Sequence, residues 1–109
     1  MARLQRDDGA IFYDNAIDAG GAIRTRERSL TGSAVAFAGI VWLRLRDHGY
    51  DEFDPHIDRA LRWLLANRYP ARHPDPNLRG GFLETWTKTG DDGTRIQVRD
   101  IATAFALRF

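Results

Sequence analysis

The residues of this 109-residue chain that are best suited to contact a ligand follow the Gly80-Gly81 pair. Phe82, Glu84 and Trp86 alternate along an extended segment, and alternation places every second side chain of a β-strand on one face. A Trp ring in this position could stack on a sugar or an isoprenoid while Glu84 forms a hydrogen bond. Ordinary cross-strand packing is the alternative interpretation of the same three residues.

Two arginines and one aspartate extend the candidate ligand-binding set. Arg28 and Arg99 recur 71 residues apart, and guanidinium groups match carboxylates and phosphates. They are interpreted either as a paired anion clamp or as structural links between a hairpin and the helix after it. Asp100 suits a helix cap, and Tyr13 takes the position of Glu84 at the same offset. The candidate ligand-binding residues are therefore Tyr13, Arg28, Glu84, Trp86, Arg99 and Asp100.

No catalytic residue, metal site or cofactor is assigned from the sequence. Glycoside hydrolysis needs a pair of carboxyl groups, and Glu84 with Asp100 is the one pair worth testing. The chain has no cysteine, which excludes disulfides, a thiol nucleophile and thiolate metal ligands. The three histidines lack the spacing of metal ligands. Asp91 and Asp92 are interpreted as turn residues.

Helices and hairpins must position these side chains. Hydrophobic periodicity and capping signals predict three helices, near residues 31–48, 54–68 and 99–109. One apolar stripe is predicted on the second helix, formed by Ile57, Ala60, Leu61, Leu64 and Leu65. Segments rich in Thr, Trp, Ile and Val flank Gly90–Gly93 and predict a β-hairpin. A weaker copy joins residues 11–15 to residues 22–25 across Gly20-Gly21.

The hairpin-and-helix arrangement occurs twice, at an offset of 71 residues. Arg28–Leu30 aligns with Arg99–Ile101 without a gap, so Ser29 and Asp100 both occupy a cap position before an apolar helix. We therefore predict a single domain made of two degenerate repeats, residues 1–53 and 54–109.

The repeat carries a motif that resembles the α/α-toroid proteins. Residues 59–67 combine a basic residue, Ala, an aromatic residue and Leu-Leu, and Gly80-Gly81-Phe82 follows. Residues 5–11 match the Gln-x-x-x-Gly-x-aromatic part, with Ile in place of the aromatic residue. These features are similar to the repeats of squalene–hopene cyclases and protein prenyltransferases. The resemblance implies a mainly α fold, a partial α/α toroid of helix hairpins with Gly turns and inserted β-hairpins.

The chain departs from the chemistry of both named groups. The cyclases carry an Asp-x-Asp-Asp acid, whereas residues 89–92 lack the first Asp, and the prenyltransferases bind zinc with a Cys. We therefore expect a non-enzymatic or incomplete toroid module with a binding or assembly role. One alternative is part of a carbohydrate-active α/α-barrel enzyme, a hydrolase, lyase or epimerase. The third hypothesis is an isoprenoid cyclase-like protein.

Composition restricts the partners of the chain. Sixteen basic and fifteen acidic residues give a formal net charge of +1, which argues against nucleic acid. The longest apolar run, residues 34–43, is about half as long as a membrane span. No signal peptide is visible, so a cytoplasmic location is expected. Two repeats are fewer than a closed toroid has, so we expect a homo-oligomer or the remainder of a longer chain, and a carbohydrate or apolar ligand.

Overall fold

The computed structural model describes residues 2–89, 93–98 and 100–109, which form three α-helices and a four-stranded antiparallel sheet. The strands, in their order across the sheet, are β1 (Phe12–Ile17), β2 (Ile23–Thr31), β3 (Leu83–Thr89) and β4 (Gly93–Val98). The α-helices are α1 (Gly32–Asp47), α2 (Asp54–Ala66) and α3 (Asp100–Arg108). Two short 3-10 helices cover Ala2–Leu4 and Asp51–Phe53.

The fold class that the toroid resemblance implied is wrong. The two β-hairpins are not separate insertions between helices, because β2 pairs with β3 and joins them in one sheet. This junction consists of three residue pairs, Ser29–Thr87, Leu30–Trp86 and Thr31–Thr85. A lone two-stranded hairpin is marginally stable in water, whereas four strands with one face against helices are stable. The chain is therefore α+β and not mainly α.

The predicted helices and hairpins are present at the expected places. The helix ends differ from the prediction by no more than two residues, and both predicted strand pairs form. The pair Asp54-Pro55 predicts the start of α2, and Pro55 does lie in its first turn. The pair also predicts Asp54 as the cap, which is wrong, because Phe53 occupies the cap position and Asp54 is the first helical residue. The cap assigned to Ser29 is wrong, because Ser29 belongs to β2 and α1 begins after Thr31. Asp91 and Asp92 lie outside the described residues.

Helix α1 is the centre of the core and packs against both α2 and α3. Its small residues allow this, since Ala36, Ala38 and Gly39 are buried. A Cβ on Gly39 would overlap the ring of Phe109. The Phe109 ring therefore packs directly on the backbone of α1 at this glycine. Phe105 also contacts α1, with its ring edge-on to Phe37 at 5.9 Å between centroids. Phe105 and Phe109 thus pack against α1, whereas Ile101 and Leu107 of α3 stay 48% and 76% exposed.

The apolar stripe predicted on α2 is only partly buried. Ile57, Ala60 and Leu64 belong to the core, whereas Leu61 and Leu65 are 45% and 54% exposed. The buried residues are spaced three and four positions apart and define the side that packs against α1. The predicted stripe was therefore wider than the face that α1 covers.

A polar cluster attaches the segment before β1 to the first turn of α2. The Nε2 atom of Gln5 donates to the carbonyl oxygens of His56, at 3.0 Å, and of Gly9, at 3.3 Å. The Oε1 atom of Gln5 lies 2.7 Å from His56 Nδ1. Gly9 has a φ of +95°, and a Cβ there would overlap the backbone of Arg59. The Gln-x-x-x-Gly motif thus brings this segment directly against α2.

His56 is partly buried within this cluster, next to a positive charge. Burial is the main cause that lowers the pKa of His56, and the charge of Arg59 lowers it further. The Nη2 atom of Arg59 lies 2.9 Å from His56 Nδ1. The Trp42 ring packs against the imidazole at a centroid distance of 5.3 Å. The native state therefore favours the neutral imidazole.

We predict that the free energy of unfolding falls as the pH drops below about 6.5, the ordinary pKa of histidine. Because the pKa of His56 is lower in the folded chain, the unfolded chain binds the proton more readily in this window. The contribution of His56 to the free energy of unfolding is therefore complete above pH 6.5 and is lost as the pH falls toward the pKa of His56 in the folded chain. Urea unfolding from pH 7.5 to 5 should show this loss, and His56→Gln should reduce it. His48→Gln, at an exposed position, is the control and should leave the loss unchanged.

A second prediction concerns Gly32, the first residue of α1. A Cβ at this position would overlap the carbonyl oxygen of Leu83, a backbone atom that cannot move without shifting β3. Gly32→Ala should therefore lower the free energy of unfolding by about 2 kcal/mol or more. Gly20→Ala is the matched control, because the nearest atom to its Cβ is at 3.4 Å. Equal stability of the two variants in urea titrations would contradict the close approach of α1 and β3.

Candidate functional site

Glu84 lies at a β-bulge near the start of β3. The pairing of β3 with β4 shifts between Leu83 and Thr85, so one extra residue stands on β3 at this point. A bulge interrupts the alternation of side chains along a strand. The expectation that Glu84 and Trp86 share one face with Phe82 is therefore wrong.

Trp86 belongs to the core side of the sheet. It is partly buried, packs against the core cluster and stands opposite Leu30 on one side and Ile96 on the other. It is not among the residues that line the cleft beside Glu84. The structure thus does not bring the Trp86 ring to the position where it would stack on a ligand of Glu84.

Glu84 contributes to a cleft of about 460 Å³ beside the junction of the two hairpins. The residues that line it are Tyr13, Ser29, Ser33, Glu84, Thr85, Thr87 and Ile101. Hydroxyl groups predominate, and two of them pair across the strands, with Ser29 Oγ 2.9 Å from Thr87 Oγ1. The cleft therefore joins residues from β1, β2, β3, α1 and α3 in one polar surface.

The carboxyl group of Glu84 is held at the amino end of α1. Ser33 Oγ donates to Oε1 at 2.7 Å, and Thr31 Oγ1 donates to the same oxygen at 3.4 Å. Thr31 precedes α1 but makes no capping hydrogen bond of its own, and Ser33 lies in the first turn. The helix dipole favours a negative charge at this end. Glu84, which belongs to β3, therefore places a carboxyl group at the positive end of the α1 dipole, where a capping residue would otherwise lie.

One oxygen of Glu84 is not satisfied by the protein. Glu84 is 6% exposed, and its Oε2 atom is buried without a hydrogen-bond partner in the described part of the chain. Leaving a buried acceptor unpaired costs about 1–3 kcal/mol. Buried polar groups of this kind are uncommon and often belong to functional sites. The hydroxyl groups at the start of α1 thus satisfy the Oε1 atom of Glu84 and leave its Oε2 atom without a partner.

Tyr13 and Ile101 form the exposed rim of the cleft. Tyr13 is 66% exposed and Ile101 48% exposed, although both side chains are large and apolar over most of their area. Tyr13 and Glu84, which correspond at the offset of 71 residues, lie at the same cleft. The arrangement offers an aromatic surface beside several hydroxyl groups and one carboxyl group.

Of the three remaining candidate side chains, the structure describes that of Arg28 alone. Arg28 is exposed on β2 and does not line the cleft. Arg99 lies outside the described residues, so the predicted anion clamp stays a prediction. Asp100 begins α3, directly before Ile101, and its side chain also lies outside the described residues. Among the described residues, Glu84 is the only acidic one that lines the cleft.

Sequence reasoning missed the hydroxyl residues that surround Glu84. Ser29, Thr31 and Ser33 alternate along one segment, and Thr85, Thr87 and Thr89 alternate along another. Alternation places Ser29 and Thr31 on one face of β2, opposite Thr87 and Thr85 of β3. Two alternating series of hydroxyl residues were therefore the available signal for this polar surface.

The described residues show neither a metal centre nor a membrane span. No group of three or more His, Asp or Glu side chains within residues 2–89, 93–98 and 100–109 is placed to hold a metal ion. In the same ranges, no helix is both long and apolar enough to cross a bilayer.

Comparisons of the chain with protein-family models, curated proteins and solved structures give no match. The motif resemblance to toroid repeats stays a prediction from the sequence. The function is therefore argued from the contents of the cleft.

The hydrogen bond between Ser33 and Glu84 predicts strong thermodynamic coupling between these two residues. Ser33→Ala should lower the free energy of unfolding by about 1–3 kcal/mol, since it leaves a buried carboxyl oxygen with the longer Thr31 contact alone. In a Glu84→Leu background the same substitution should cost much less. A double-mutant cycle from urea titrations measures the difference. Additive effects within about 0.5 kcal/mol would show that the two side chains do not interact.

Proposed function

We propose that this chain is a non-enzymatic binding module that takes a hydroxyl-rich ligand, a carbohydrate, in the cleft between Tyr13 and Glu84. The observation that carries the proposal is the carboxyl group of Glu84. One of its oxygens is fixed by Ser33 and Thr31, and the other is buried without a partner beside the cleft. A fixed acceptor among hydroxyl groups is suited to orient a polar ligand.

The shape and chemistry of the cleft favour a carbohydrate over a purely apolar ligand. Its volume of about 460 Å³ falls within the usual range of small-molecule sites. A sugar ring has an apolar face, which can pack on the exposed ring of Tyr13, and hydroxyl groups around its edge. Ser29, Thr85 and Thr87 can each donate or accept a hydrogen bond to such groups.

The carboxyl content of the cleft supports binding without catalysis. Glycoside hydrolysis uses two carboxyl groups about 5–10 Å apart. Glu84 is the only acidic residue among the described residues that line the cleft. The carbohydrate-active enzyme is retained as a second candidate because Asp100 directly precedes Ile101, which lines the cleft. Product formation from a bound sugar would decide in its favour.

We also propose self-association, on a different part of the surface. The proposed interface consists of α1 and α3, which pack against each other in the structure. Leu107 of α3 is nevertheless 76% exposed, and Phe37 of α1 is 49% exposed. These side chains support a contact with another copy or with a further segment of a longer protein.

The proposed carbohydrate site predicts binding of a neutral trisaccharide. We expect cellotriose or maltotriose, titrated into the isotope-labelled protein, to shift the NMR signals of cleft residues. Tyr13→Ala should weaken this binding about tenfold or more, because it removes the aromatic surface of the rim.

Tyr50→Ala is the matched control for this experiment. Tyr50 is also an exposed tyrosine, at 54%, and does not line the cleft. We expect it to leave the affinity unchanged. Absence of binding by both sugars, or equal loss in the two tyrosine variants, would contradict the proposed site.

A further inference from the structure

The described lining of the cleft beside Glu84 contains one acidic side chain and no basic one. Its other described lining residues carry hydroxyl groups, a phenol or an alkyl chain, so Glu84 supplies the only formal charge among them. The ion pairs of the described residues join other side chains, and none of them includes Glu84. The described part of the cleft thus contains a carboxyl group without a counter-charge.

The described contacts of Glu84 bring no full positive charge to its carboxyl group. Two hydroxyl groups donate to its Oε1 atom. The amino end of α1 contributes about half of a positive elementary charge. Glu84 lines the cleft and is only 6% exposed, and Thr31, which donates to it, is 2% exposed. A cleft of one charge sign concentrates its field on the ligand.

We propose that the cleft selects amino sugars, saccharides that carry an ammonium group, over neutral and acidic saccharides. This inference rests on the proposed carbohydrate-binding function and names the class of its ligand. An ammonium group supplies both the missing positive charge and N–H donors for the carboxyl group of Glu84. The ring of Tyr13 at the rim attracts a cation through its face as well as packing on a sugar ring.

An acidic saccharide does not fit the same surface. The amino end of a helix is a favourable place for an anion, but Glu84 already occupies that place on α1. Arg28 carries a positive charge but does not line the cleft. A sulfate or carboxylate on the ligand would therefore lie near Glu84, and like charges repel each other.

Three β-1,4-linked trisaccharides with one backbone test the proposal. Cellotriose carries a hydroxyl group at C2, triacetylchitotriose a neutral amide, and the glucosamine trimer an ammonium group. Calorimetric titration at pH 6 gives the three affinities, because this pH is below the pKa of a sugar amine, which resembles an α-amino group with a pKa of about 8. We expect the glucosamine trimer to bind at least tenfold more tightly than cellotriose. The preference should shrink at high salt and disappear at pH 10, where the amine is neutral.

Two variants test which residues cause the preference for the glucosamine trimer. Glu84→Gln keeps the size of the side chain and removes its charge, so the three affinities should become equal within about twofold. Tyr13→Ala should weaken all three ligands and leave a preference for the glucosamine trimer. If Glu84→Gln does not fold, the salt and pH dependence of the wild-type chain still tests the role of charge.

The outcomes separate this inference from the proposed function. If cellotriose binds as tightly as the glucosamine trimer, the selectivity is overturned and the carbohydrate site stands. If none of the three binds, both proposals fail. A preference that survives Glu84→Gln would overturn the role of this carboxyl group.

Discussion

The pairing of β2 with β3 is the contact on which the rest of the structure depends. Three residue pairs join two hairpins into one sheet, although the paired residues lie more than fifty positions apart in sequence. Two of these pairs, Ser29–Thr87 and Thr31–Thr85, also place hydroxyl groups beside Glu84. Because Thr31 directly precedes α1, the same junction fixes where the helix begins. Fold and candidate site therefore have a common structural origin.

Local sequence signals predicted the elements well, since each signal acts over a few residues. Asp54-Pro55 marks the start of α2, and Gly20-Gly21 lies at the first hairpin turn. The junction of the hairpins has no such signal, because its energy comes from residues that are distant along the chain. Without this junction the same elements resemble a helical toroid with inserted hairpins, which is why the sequence predicted the wrong fold class.

The site was predictable in part. The offset of 71 residues related Tyr13 to Glu84, and both lie at the cleft. Trp86 was misplaced because strict alternation ignores the extra residue that a bulge inserts before Thr85. Ser33 was missed because a serine in the first turn of a helix is ordinary, and its role depends on Glu84 from another strand.

The direct passage from β2 into α1 limits how this protein can change in length. No residue separates Thr31 from Gly32, so one inserted residue would rotate the helix by about 100° relative to the strand. Ser33 would then turn away from Glu84, and the buried face of α1 would turn away from the core. The Gly20-Gly21 turn has no such restriction, since residues around it are exposed. Insertions and deletions should therefore accumulate at the hairpin tip, and the strand-to-helix junction should keep its length in descendants of this sequence.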